Sequence, residues 1–113
     1  MNGFWYLASP YSHPDPAVRQ QRFDAVCRAA AQIMSTGQSV FCPIAGSHPI
    51  ADHMDAKLRC DSDLWMRLDI PILRHAAKLV VFRLDGWHRS TGLGTEMRVA
   101  RACRIPIAYM EAV

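Results

Sequence analysis

Four consecutive apolar residues at positions 79–82 (Leu-Val-Val-Phe) constrain the fold of this chain more than any other feature. An apolar run without alternation is typical of a strand that is buried on both faces. Such strands occur in parallel sheets that carry helices on both sides. Residues 97–103 are good helix formers with apolar side chains at helical spacing. This part of the chain therefore predicts a strand, a connection and a helix of an α/β fold.

The same alternation of strand and helix runs through the rest of the chain. Residues 4–8 and 39–42 are predicted strands, and residues 104–109 are a last strand of the edge type because they contain a proline. Alternating strands and helices with short connections predict a doubly wound parallel sheet. We expect one α/β domain over residues 1–113, flavodoxin-like or Rossmann-like, with four to five strands.

Two helices are predicted between the strands. Asp15 is a plausible N-cap for the first helix, which should stop at Gly37. The second should start after residue 61 or 62 and reach residue 73, and Pro71 should kink it or mark its true start. Residues 43–60 are predicted to form a polar connection that is too long to be a plain linker.

Composition excludes several classes of function. The net charge of +3 comes from 13 basic and 10 acidic residues spread along the chain, so a nucleic-acid partner is not expected. No apolar stretch reaches the roughly 18 residues that a membrane span needs. The N-terminus lacks a basic region followed by an apolar run, so we expect a cytoplasmic protein.

The cysteines and histidines do not follow a metal or disulfide pattern. The four cysteines show no CxxC spacing and are predicted to be reduced thiols. His48 and His53 lie near Asp52 and Asp55, but their spacing matches neither an i,i+4 pair nor a zinc signature. We expect no metal and no organic cofactor.

Glu96 is the leading candidate for a functional residue. It follows the apolar strand and a glycine-containing run, residues 85–95, at the predicted start of a helix. In open parallel sheets ligands bind at the carboxyl edge, where such connections lie. A helix start holds anions on its free N–H groups, and a carboxylate there can attack an electron-poor carbon.

Three segments together carry a family resemblance: residues 6–12 (Tyr-Leu-Ala-Ser-Pro-Tyr-Ser), residues 69–73 and residues 90–96. In their order and spacing the chain resembles the nucleoside 2-deoxyribosyltransferase-like family, and within it a small bacterial and phage branch. The resemblance implies that Glu96 is the nucleophile that attacks C1′ of a nucleoside sugar. It also implies that Asp69 assists at the base and that Tyr6 orients the glutamate.

The resemblance also implies residues that hold the substrate. Serines and backbone amides at Ser9 and Ser90 would hold the sugar or its 5′ substituent. From the residues themselves, Tyr11 and Trp87 could pack on the rim of the loops or stack on a base, and His48 could be a solvated loop residue or could meet a base edge or a phosphate. The predicted substrate-binding residues are Ser9, Tyr11, Ser12, His48, Trp87, Ser90, Gly92 and Gly94.

The chemistry of such a reaction fits two acids in opposed environments. The helix N-terminus would keep Glu96 ionised, and partial burial among apolar neighbours would raise the pKa of Asp69 so that it can donate a proton. Each residue also has a structural interpretation. Glu96 could serve only to stabilise the dipole of its helix, with Ser90 or Thr91 as the N-cap. Asp69 could cap a helix that restarts at Pro71. Tyr6 could be an ordinary core residue.

In the larger transferases, extra C-terminal segments complete the site. The sequence of this chain ends directly after its last predicted strand. Either a partner in a homodimer supplies the missing wall of the site, or the site is open and water competes as acceptor, which favours hydrolysis. The cationic residues 87–89 before Ser90 suggest a nucleoside 5′-monophosphate as substrate.

Two other functions stay open. A nucleotide-binding module without catalysis would use the same pocket, and an Asp69 side chain directed away from Glu96 would favour it. A phosphoribohydrolase of the lysine-decarboxylase-like group is suggested by residues 92–96, although the glycine pair preceded by proline in that group's signature is missing.

Overall fold

The structure is a computed structural model that describes residues 3–112. Within these residues four parallel strands form one sheet in the order β2-β1-β3-β4. The elements are β1 (Trp5–Ala8), α1 (Pro16–Met34), β2 (Val40–Phe41), α2 (Pro43–Ala51), α3 (Ala56–Arg59), α4 (Ser62–Leu73), β3 (Lys78–Arg83), a 3-10 helix (Trp87–Arg89), α5 (Thr91–Ala102) and β4 (Ile107–Glu111).

Helices cover both faces of the sheet. Successive strand residues point to opposite faces, so Tyr6 packs with residues of α4 and α5 while Leu7 packs with α1. In β3, Val81 lies on the α4/α5 face and Val80 on the α1 face. Burial on both faces explains the uninterrupted apolar run, and the predicted single α/β domain with a doubly wound, flavodoxin-like or Rossmann-like sheet is confirmed.

Helix α1 begins as its sequence predicts. The carboxylate of Asp15 accepts a hydrogen bond from the backbone N–H of Ala17, and proline occupies the first helical position. The helix ends at Met34, and Gly37 takes a φ of +91°, which glycine adopts without strain. The helix therefore stops slightly before the predicted residue.

The connection between β2 and α4 differs from the prediction. Residues 43–60 contain the helices α2 and α3 instead of a polar loop. Pro43 suits the first turn of α2 because no intrahelical donor is needed there. Asp55 caps α3 by accepting a hydrogen bond from the N–H of Lys57. With nine and four residues, these helices are too short to show a clear apolar periodicity in the sequence.

Helix α4 begins at Ser62, where Asp61 accepts hydrogen bonds from two backbone N–H groups, and it continues past Pro71. The prediction that Pro71 marks the start is therefore wrong. One backbone bond is lost, but the N–H of Arg74 still bonds to the carbonyl of Ile70, and Leu73 is fully buried against the sheet. Packing of this face outweighs the local cost of proline.

The glycine-containing run also differs from the prediction. Helix α5 begins at Thr91, and the hydroxyl of Ser90 caps it by accepting from the N–H of Leu93. Gly92 and Gly94 therefore lie in the first turn of α5 and not in a loop. The last strand, β4, lies at the sheet edge as predicted.

Two further findings concern the chain as a whole. Among residues 3–112, no helix combines the length and apolar character that crossing a membrane requires. No disulfide joins the cysteines among these residues, which are Cys27, Cys42, Cys60 and Cys103.

Candidate active site

The candidate site lies at the carboxyl edge of the sheet, between β1 and β3. The chain leaves β1 toward the α1 face and leaves β3 toward the α5 face. Because the two connections diverge, the ends of these adjacent strands form the switch point at which open α/β sheets bind ligands. Residues 9–12 follow β1 and residues 84–90 follow β3.

A buried hydrogen bond joins Tyr6 and Glu96. The hydroxyl of Tyr6 donates to Oε2 of Glu96 at 2.5 Å. Tyr6 is fully buried and Glu96 is 5% exposed. Glu96 reaches this position because it shares the sheet-facing side of α5 with Leu93 and Ala100, three residues before it and four after it.

The surroundings control the protonation of this pair. Burial raises the pKa of Glu96 to about 7, the hydrogen bond from Tyr6 lowers it, and the charge of Asp69 raises it. Burial and the nearby Glu96 both raise the pKa of Tyr6. The phenol therefore keeps its proton at neutral pH and acts as a donor to the carboxylate.

Asp69 lies within electrostatic range of Tyr6 and Glu96, because its charge raises the pKa of both residues. Asp69 is half-buried on α4, and burial raises its pKa to about 6. It does not cap a helix that restarts at Pro71, because α4 begins at Ser62.

The electrostatics differ from the expected contrast between an ionised Glu96 and a protonated Asp69. Burial raises the pKa of both acids, to about 6 for Asp69 and to about 7 for Glu96. Glu96 lies in the second turn of α5, beyond the first turn where the helix dipole favours a negative charge. It also faces the core, so desolvation dominates. For the same reason, Glu96 does not act as a helix-end charge.

Ser9 supplies an unsatisfied polar group at the same edge of the sheet. It directly follows β1, is 6% exposed, and its Oγ has no hydrogen-bond partner among residues 3–112. A buried hydroxyl without a hydrogen-bond partner destabilises the folded protein, so a hydrogen bond from a ligand to this hydroxyl would favour binding. Ser9 thus fits the substrate-binding role that the sequence suggested.

Sequence reasoning missed Cys42 as a neighbour of the site. Its position at the end of β2, next to β1, was the available signal. Cys42 lies close enough to Tyr6 and Glu96 to interact electrostatically with both. Burial raises the pKa of the Cys42 thiol to about 11, so it stays protonated at neutral pH and is not a nucleophile.

Tyr11 and His48 form a separate cluster on the α1 side. The hydroxyl of Tyr11 lies 2.5 Å from Nδ1 of His48, and Nε2 lies 3.1 Å from Oε1 of Gln20. The ring of Phe23 stacks on His48 with 4.1 Å between centroids. Both ring nitrogens therefore have protein partners, and His48 joins α2 to α1. Contact with a base edge would require one of these bonds to break.

Two more predicted residues lie away from the buried acids. Ser12 is exposed, and its carbonyl accepts from the guanidinium of Arg22. Trp87 packs against the α4/α5-side core and meets Tyr109 edge to face at 5.9 Å. Its ring is partly covered by protein, which limits it to a rim contact with a bound base.

Ser90, Gly92 and Gly94 lie together at the start of α5. The Ser90 hydroxyl is used as the helix cap. A methyl group at Gly92 or Gly94 would meet Met66 at 3.8 Å or Arg98 at 3.6 Å, which are ordinary contacts. Protein packing therefore does not require glycine at either position.

A groove of about 430 Å³ lies on the α1 side of the same edge, lined by residues that include His13, Arg22 and Asp85. Tyr6, Asp69 and Glu96 do not line it. The groove is thus distinct from the buried acids. No three His, Cys, Asp or Glu side chains gather as a metal site within the described part of the chain.

Comparison with known families identifies the chain. A family model described as a domain of unknown function (DUF1937) matches residues 3–112. The chain belongs to this family. No curated protein matches it. The family description names no activity, so the resemblance to nucleoside 2-deoxyribosyltransferase-like proteins stays a prediction, and function is inferred from the site.

Proposed function

We propose that the protein cleaves the N-glycosidic bond of a nucleoside or nucleoside 5′-monophosphate, by hydrolysis or by deoxyribosyl transfer. The observation that supports this most is the buried hydrogen bond from Tyr6 to Glu96, with Asp69 in the same site. Burying one carboxylate against a second acid is costly. A protein core gains nothing from this arrangement, whereas a glycosidic reaction uses both acids.

The reaction follows from the roles of two carboxylates. Cleavage builds positive charge on the sugar, and the carboxylate of Glu96 attacks C1′ as the bond from C1′ to the base nitrogen breaks. The electron pair of that bond goes to the base, and Asp69 donates a proton to it. Water or a second base then attacks C1′ and releases Glu96, with Asp69 accepting a proton.

The hydrogen bond of Tyr6 favours Glu96 over Asp69 as the nucleophile. A phenol that donates to a carboxylate stabilises its ionised form and fixes its rotamer. The pKa of Glu96, about 7, leaves a substantial ionised fraction at neutral pH. The pKa of Asp69, about 6, is above its ordinary value, which leaves a minor protonated fraction of about 10% at neutral pH as the proton donor.

A 5′-monophosphate is the proposed form of the substrate. His88 and Arg89 are exposed beside Ser90, and the free N–H groups at the start of α5 are adjacent. Cationic side chains and a helix N-terminus both favour a phosphate. Equal turnover of nucleosides and their monophosphates would contradict this part of the proposal.

The experiment is to incubate the protein with a panel of nucleosides and monophosphates and to measure the released base by chromatography. Glu96→Gln and Asp69→Asn should lose activity, while Asp24→Asn, which changes an exposed carboxylate on α1, should keep it. A folded Glu96→Gln variant that releases base as fast as the wild type would refute the nucleophile assignment.

A slow 2-fluorinated substrate tests the covalent step by mass spectrometry. We expect one sugar mass on the peptide that contains Glu96. A sugar on Asp69 would reverse the two roles. Tight nucleotide binding without base release or adduct would instead support the nucleotide-binding module.

A further inference from the structure

Helix α4 carries a second apolar side that does not face the sheet. Ile70 and Leu73 pack into the core, whereas Leu68 is 51% exposed and Ile72 is 36% exposed. With half-buried Leu64, these residues recur at four-residue steps and form one stripe along the helix. We name Leu64, Leu68 and Ile72 the outer stripe. A surface helix normally presents polar residues at such positions.

The charges at the ends of α4 make the outer stripe self-complementary. Exposed Asp61 lies seven residues before Leu68 (68 − 61) and exposed His75 lies seven after it (75 − 68). Asp61 is the N-cap of α4 and His75 follows its C-cap, so these two residues flank the helix at opposite ends. The helix is acidic at its N-terminal end, with Asp63 beside Asp61, and basic at its C-terminal end, with Arg74 beside His75.

We propose that the outer stripe binds a second copy of this chain, with the two α4 helices antiparallel about a two-fold axis at Leu68. In this arrangement Leu64 of each copy faces Ile72 of the other, and the acidic end of each helix lies toward the basic end of the other. A two-fold interface is isologous, so the pattern must complement itself when reversed, and this one does. A parallel pairing would place Asp61 against Asp61.

The interface would also act on the site. Asp69 adjoins Leu68 on α4 and is half-buried. Covering this helix removes water from around Asp69, which favours its protonated form. This consequence for activity rests on the proposed glycosidic function, whereas the interface itself does not.

Sedimentation equilibrium at micromolar concentration tests the interface independently of activity. The wild type should have twice the chain mass and Leu68→Glu the single mass. Met34→Glu is the matched control, because Met34 is 54% exposed on α1, and it should stay dimeric. Circular dichroism confirms that the variants fold. A monomeric wild type, a dimeric Leu68→Glu variant or a monomeric Met34→Glu variant would overturn the proposal.

A cysteine cross-link tests the two-fold axis. In a background with Cys60→Ser and Cys103→Ser, which removes the exposed thiols, oxidised Leu68→Cys should migrate as a covalent dimer. Met34→Cys should not. Failure of Leu68→Cys to cross-link in a dimeric protein would show that another surface forms the interface.

Discussion

The hydroxyl of Tyr6 allows a sharp test of the site because Tyr6→Phe removes one atom and keeps the packed ring. The lost hydrogen bond has a charged acceptor, and such bonds contribute about 1.5–3 kcal/mol. One pKa unit corresponds to about 1.4 kcal/mol, so the pKa of Glu96 should rise by about 1–2 units. In the wild type the pKa of Glu96 is about 7.

The rise in pKa changes the ionised fraction of Glu96. At pH 7 this fraction should fall from about one half to about 1–10%. We expect kcat/KM for base release at pH 7 to fall about 5- to 50-fold, and the ratio of kcat/KM in the variant to that in the wild type to recover toward pH 9. Carbon-13 NMR of labelled glutamate, with Glu96→Gln to assign the signal, measures the pKa directly and without substrate.

Tyr109→Phe is the matched control, since Tyr109 is 46% exposed on β4 and does not bond to Glu96. It should leave the titration of Glu96 unchanged. If Glu96 in a folded Tyr6→Phe variant titrates at the wild-type pKa or below it, the hydroxyl does not tune the acid. Tyr6 would then be core only.

Four further predictions follow from the same geometry. The pKa of Glu96 is raised from 4.5 to about 7 on folding, so the folded state binds more protons in this range and stability falls as pH rises through it. The loss should be about 3 kcal/mol, and the fall in stability measured by urea unfolding should be larger by about this amount in the wild type than in Glu96→Gln, in which Asp69 still releases its proton. Asp69→Asn should lower base release about 100-fold or more, and least for bases that leave readily as anions; a uniform loss would argue against proton donation. Gly94→Ala should raise stability by about 0.5–1 kcal/mol because Gly94 is helical, while slowing base release; unchanged kinetics would remove this residue from the site. Ser9→Ala should leave the melting temperature within about 2–3 °C because the hydroxyl has no protein partner, while raising KM; an unchanged KM would show that the hydroxyl does not meet the substrate.

Local sequence was a sufficient guide where one interaction dominates. The uninterrupted apolar run of β3 required two covered faces, and Asp15 predicted the start of α1. Local sequence was a poor guide where competing interactions decide the structure. Gly92 and Gly94 suggested a loop, but the cap from Ser90 draws them into α5. Pro71 suggested a break, but packing of α4 carries the helix past it.

The sequence by itself determined the fold class and the candidate residues Tyr6, Asp69 and Glu96. Only the tertiary structure decided that Tyr6 and Glu96, 90 residues apart, share a buried hydrogen bond, and that Asp69 lies within electrostatic range of them. It also decided that the pKa of both acids is raised. Desolvation depends on every group packed around a carboxylate, and those groups come from strands and helices that are distant along the chain.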